Sequence, residues 1–104
     1  MAEELLRVVE EVTGKPRVDG LKELLLAYID SKIKDYRQRI RRLEAKYGMS
    51  FEEFRKKMGK ELPLDWEHEK DGIEWETAIT ELEELEKLRL KYGRELREEG
   101  RANS

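Results

Sequence analysis

The single histidine of this chain, His68, stands in a row of acids: Asp65, His68, Asp71 and Glu74 follow one another at steps of three. Placed on a continuous helix, the row reads as one face, and a carboxylate–histidine row can ligate a metal. A carboxylate-bridged di-iron site needs its acid-x-x-His motif on two helices, with further glutamates facing inward. One histidine does not supply that. The competing reading is an acidic first turn complementing the positive end of a helix dipole. No metal and no cofactor are expected.

Covalent catalysis has no visible machinery. A serine nucleophile needs a base and a group to orient it. Ser31 falls inside a long helical run, Ser50 is engaged as a helix cap, Ser104 is terminal, and there is no cysteine. Gly14-Lys15-Pro16 lacks the second glycine and the hydroxyl residue of a phosphate loop. Carboxylates abound, but nothing singles out a buried pair. The chain is not expected to be an enzyme.

Lys32–Lys46 is the candidate nucleic-acid surface, with seven basic residues (Lys32, Lys34, Arg37, Arg39, Arg41, Arg42, Lys46) against Asp35 and Glu44. Helices that read duplex DNA come in helix-turn-helix, ribbon or basic-zipper arrangements. None is readable here, and a zipper keeps its basic region outside the heptads, whereas these residues overlie them. A solvated face, or a match to an acidic helix of the same chain, is the simpler reading. Nucleic acid is not expected as a partner; an RNA-binding use of Arg37–Lys46 ranks third and would show steep salt dependence.

These side chains have to be positioned by helices, and the pattern for that is strong. Leu26, Ile29, Ile33, Tyr36, Ile40, Leu43 and Tyr47 alternate steps of three and four, the a and d positions of three heptads. Such a seam requires a second helix along it, from this chain, a second copy or another protein. Ahead of it, Ala2–Thr13 is predicted helical on the stripe Leu5, Val8, Val9 and Val12, with Gly14 as its stop. Lys15-Pro16-Arg17 reads as extended, and Asp19 as the cap of a helix over 20–47 that Gly48 ends.

Ser50-Phe51-Glu52-Glu53 is a capping box, opening a short helix to about Met58 with Phe51, Phe54 and Met58 on one face. Gly59 stops it, and Glu61–Leu64 is a connection. A last helix starts near Asp65, or near Asp71 if Gly72 breaks it, and runs to about Glu98. Trp75, Ala78, Leu82, Leu85, Tyr92 and Leu96 form its stripe, Arg89 fills one core-type position, and Ile73, Ile79 and Leu88 widen it. Gly93 is a fray or bend point, and 100–104 reads as a disordered tail. Trp75 reads as core; Trp66 reads either as an anchor closing the turn or as an exposed hot spot for a partner.

No segment alternates strictly, so the expected fold is all-α. It is a long antiparallel hairpin or small bundle of about four helices in one domain, 1–99, monomeric or paired with a second copy. At 104 residues such a domain buries roughly 65% of its unfolded surface. Charged residues make up 45% of the chain, yet the net charge is only −3, so no blanket affinity for nucleic acid follows. The lack of cysteine fits a reducing compartment. Four glutamates in Met1–Glu11 oppose a secretory signal, and no apolar run approaches the ~20 residues of a membrane span. A cytoplasmic location is expected. One glutamine and one asparagine among so many Lys, Arg and Glu resemble the usage of heat-loving organisms.

Charge divides the two long helices. Against the basic 32–46 stretch, residues 65–86 carry ten acids and one Lys70. Helices of opposite sign and matching period should pair, the seam supplying stability and the charges choosing orientation.

Lys46-Tyr47-Gly48-Met49-Ser50-Phe51-Glu52-Glu53-Phe54 and Glu67-His68-Glu69-Lys70-Asp71-Gly72-Ile73-Glu74-Trp75-Glu76, with the Leu/Glu helix that follows, resemble small all-helical prokaryotic proteins encoded next to a toxin gene and regarded as antitoxins. The resemblance covers about residues 40–90. It implies a protein that wraps and neutralises a partner toxin, commonly an RNA-directed one. The DNA-binding module of many antitoxins is missing, which puts autoregulation in doubt. On this reading Phe51, Phe54, Trp66, Glu76, Glu83 and Glu84 meet a basic partner. The alternative is a self-associating helical structural or adaptor protein whose Leu26–Tyr47 seam pairs with its own copy.

Overall fold

Four helices account for nearly all of the described chain: α1 Ala2–Thr13, α2 Arg17–Tyr47, α3 Phe51–Lys57 and α4 Trp66–Ala102. The computed structural model describes the backbone of residues 2–102 and the side chains of residues 2–93. The fold is all-α, as the periodicity requires. The one β-type contact among the described residues is an isolated bridge between Met58 and Leu62 in the α3–α4 connection.

Helix ends follow from caps. Gly14, Gly48 and Gly59 close α1, α2 and α3 at φ of 67°, 66° and 78°, where a Cβ would be strained. Ser50 caps α3 by accepting the Glu53 amide at 3.2 Å. Asp65 caps α4, its carboxylate accepting the His68 amide at 2.9 Å.

Two boundaries differ from expectation, the start of α2 and the end of α4, while α4 opens at Trp66, near the first of its two expected starts. α2 begins at Arg17 because the Gly20 amide donates to the Pro16 carbonyl at 2.8 Å; Asp19 sits inside the first turn instead of capping it. Proline is tolerated there, since the first amides of a helix have no intrahelical acceptor. Gly72 and Gly93 interrupt nothing, and α4 continues to Ala102. Residues 100–102, expected in a disordered tail, are therefore helical, while Asn103, Ser104 and the Leu96 side chain lie outside the described residues.

The chain falls into two compact units, Lys32–Glu86 and Met1–Ser31 with Lys87–Ser104, and α2 and α4 each contribute to both. In the first unit α2 and α4 run antiparallel, because ascending residues of one meet descending residues of the other. Arg37 reaches Glu86 at 3.2 Å, Arg42 reaches Glu74 at 2.6 Å, and Lys46 reaches Asp71 at 2.6 Å and Glu67 at 2.8 Å. The basic and acidic stretches therefore pair within the chain. Pairs as exposed as Arg37–Glu86 and Arg42–Glu74 contribute below about 1 kcal/mol each. The apolar cluster of Leu43, Phe54 and Trp75 carries the unit, with Ile40, Tyr47, Met49, Phe51, Met58, Leu62 and Ile79 packed against it.

The seam is covered. Ile29, Ile33 and Leu43 are buried, and Leu26, Tyr36, Ile40 and Tyr47 are half-buried. Other apolar expectations fail. Leu5, Val8 and Val12 of α1 are exposed and no residue of α1 is buried. Ile73 and Leu88 are exposed too, and Tyr92 is marginally so. For Ile73 the reason is angular: residues two apart on a helix point about 200° apart, so Ile73 cannot widen a stripe that contains Trp75.

Candidate functional site

The first turns of α4 are held by a polar lock on the C-terminal end of α2. Asp71, buried, accepts hydrogen bonds from the Tyr47 hydroxyl and, at 2.6 Å, from Lys46 Nζ. Burial pushes the Asp71 carboxyl up, but the Lys46 and Tyr47 bonds outweigh it and hold the group below its ordinary range. Burial, and then the Asp71 acceptor, pushes the Tyr47 hydroxyl up to about 12. Beneath the lock, Phe54 lies against α4 at Gly72, where a Cβ would stand 3.2 Å from its ring. Ring centroids of 4.7 Å for Tyr47–Phe54 and 5.2 Å for Phe54–Trp75, with the rings tilted by 59° and 47°, complete an aromatic cluster.

The acid row around His68 does not converge. Repeated steps of three drift by about 60° each on an α-helix, so Asp65 and Glu74 end on opposite sides. Asp65 caps its own helix, Asp71 turns inward to Tyr47 and Lys46, and Glu74 pairs with Arg42. His68 Nδ1 lies 2.7 Å from the Asp65 carboxylate, but the angle makes no hydrogen bond and leaves that nitrogen without one.

The opposite face of α4 is the informative surface. Trp66, Glu69, Ile73, Glu76, Thr80 and Glu83 alternate steps of three and four, and all six are exposed. Trp66 is 75% exposed and Ile73 65%. Two large apolar side chains thus stand two turns apart in an acidic frame, on a helix whose inner face is locked by Asp71 and Trp75. Trp66 does not close the turn as an anchor; it projects to solvent.

Of the residues expected to meet a partner, Trp66, Glu76, Glu83 and Glu84 are exposed on α4 in this unit. Phe51 and Phe54 are not part of that surface. Phe54 is 1% exposed, and Phe51 packs on Trp75 with centroids 5.5 Å apart; both belong to the core because α3 turns that face inward. The self-association seam is likewise covered within the chain. Sequence reasoning missed Ile73 and Glu69, although their spacing from Trp66 was readable as a second, outward heptad. Comparison with known proteins finds no family model, no curated protein and no solved structure that matches this chain.

Proposed function

We propose that the chain is a non-enzymatic protein-binding module that docks a basic partner along the outer face of α4. Trp66 and Ile73 are the apolar anchors, and Glu69, Glu76, Glu83 and Glu84 form the charged frame. Interfaces concentrate their affinity in a few large side chains, tryptophan foremost, while surrounding charges steer encounter and exclude wrong partners. The observation that carries the reading is the exposure of Trp66 on a turn pinned from below by the Tyr47–Asp71–Lys46 lock. A pre-organised face loses little entropy on docking.

The resemblance to antitoxins supplies the class of partner: a toxin-like, RNA-directed protein encoded beside this chain, with a basic RNA-binding groove that an acidic helix can occupy. The setting proposed is cytoplasmic. Among the described residues no helix is long and apolar enough to cross a membrane.

Co-expression with the neighbouring gene product, followed by size exclusion at low and moderate salt, tests this. A complex is expected that Trp66→Ala weakens by about tenfold or more and that Glu76→Lys with Glu83→Lys weakens most at low salt. Absence of any complex at both salt concentrations would sink the reading.

A further inference from the structure

In the unit formed by Met1–Ser31 with Lys87–Ser104, α1 docks by the side that carries Leu6, Val9 and Thr13, half-buried with Glu10, while the rest of the helix is exposed. A Cβ on Gly20 would stand 2.6 Å from Thr13 Oγ1 and 2.8 Å from Val9 Cγ1, so the two helices touch closely there. Arg17 reaches across to both Glu3 and Glu10, holding Glu3 below its ordinary range by hydrogen bonding and charge. These contacts fix the rotation of α1. They leave Leu5, Val8 and Val12, spaced by three and four, facing outward at 52–69% exposure. α2 carries a second row outside its seam, Leu21, Leu25 and Tyr28, also spaced by four and three and also exposed.

We infer that this unit is the interface of a two-fold homodimer in which α1 of one copy lies on the Leu21–Leu25–Tyr28 row of the other. Area supports a second copy. The six side chains expose roughly 600 Å² per copy, so two-fold pairing covers about 1,200 Å² before flanking stems are counted, the lower edge of stable specific interfaces. Charge selects the pairing. α1 carries Glu3, Glu4, Glu10 and Glu11 against Arg7, and Glu4 and Glu11 border its apolar row. The start of α2 carries Lys15, Arg17 and Lys22 against Asp19 and Glu23. Arg17 is taken by Glu3 and Glu10 and Lys15 pairs with Glu23 in the same copy, so the cation that borders the second row is Lys22. α1 against α1 sets like charges together; α1 against α2 sets opposite ones. A two-fold axis makes that contact twice, covering both rows in both copies. A 12-residue helix whose inner residues are only half-buried is marginal by itself, and the partner copy adds cover on its outer row.

Sedimentation equilibrium of the full chain alone tests this, independently of any basic partner. Wild type is expected to be dimeric at about 10 μM, and Leu25→Glu or Val8→Glu to weaken association by about a hundredfold. The aromatic near-ultraviolet signal of the Trp75 cluster should stay unchanged, showing that these variants fold. Glu4→Lys with Glu11→Lys should also weaken the dimer, and adding Lys22→Glu should restore part of it. A wild type monomeric to about 500 μM, a trimer or larger species, or a dimer indifferent to Leu25→Glu would overturn the interface. Charge reversal without effect would overturn the α1-on-α2 pairing.

Discussion

Asp71 shows how one residue can serve the fold and the site together. It is a buried carboxylate, costly unless paired, and it is paired twice, with Tyr47 and Lys46. Its folded pKa is depressed, so its contribution to stability is complete above the ordinary 3.8 and is lost as pH falls through the lower folded value. Tyr47 works in the opposite sense. Its pKa is raised from 10.0 to about 12, so its contribution is complete below 10 and disappears between 10 and 12. Urea titrations across pH should therefore show an acid limb below about pH 4 that Asp71→Asn flattens, and an alkaline limb that Tyr47→Phe flattens. Equal slopes in wild type and variants would show that the lock carries no linkage. At neutral pH, Asp71→Ala orphans the Tyr47 hydroxyl and should cost about 1–3 kcal/mol.

Among the elements, α3 is the smallest and the most consequential for the core. Seven residues, capped by Ser50, bring Phe54 between α2 and α4. The close approach at Gly72 is what admits the ring. Gly72→Val should force Phe54 aside and cost about 1–3 kcal/mol, even though most residues favour helix over glycine. The check is the urea midpoint, together with loss of the aromatic near-ultraviolet signal. An unchanged midpoint would mean the ring has room that the geometry denies it. Trp75→Ala, emptying a fully buried site, belongs to the same cluster and should cost about 3–5 kcal/mol.

For the molecule as a whole, the two faces of the long helices have different jobs under the docking proposal, and paired substitutions separate them. Ile33→Asp places an unpaired charge at a buried seam position and should unfold the chain or nearly so. Ile73→Asp makes the same chemical change at an exposed position and should alter stability by less than about 0.5 kcal/mol. Only the second should leave a folded protein that has lost its basic partner. Thermal melts read the first difference, and titration against the neighbouring gene product reads the second. If Ile73→Asp melts as early as Ile33→Asp, the outer face of α4 is structural and the docking proposal fails.

Periodicity and punctuation were enough to read four helices, the extent of α1, the serine cap of α3 and the charge match between the two long helices. Each depends on residues near in sequence, or on sign and period alone. The Leu26–Tyr47 seam was legible for the same reason: a heptad states which face must be covered. The charge match pointed to the last helix as its cover, but the residues that meet there were not legible, because that depends on where distant elements come together. Only the tertiary structure showed which residues of α4 meet the seam, α3 drawing Phe51 and Phe54 inward, and Gly72 serving as a seat for a ring instead of a break. It alone showed α1 docked by its Leu6, Val9 and Thr13 side, because Gly20 and Arg17 grip that face while the Leu5, Val8 and Val12 row is left outside. An apolar stripe announces a face that gains from cover; whether and by what the chain covers it, as with Leu5, Val8 and Val12 left exposed, is decided by the tertiary structure.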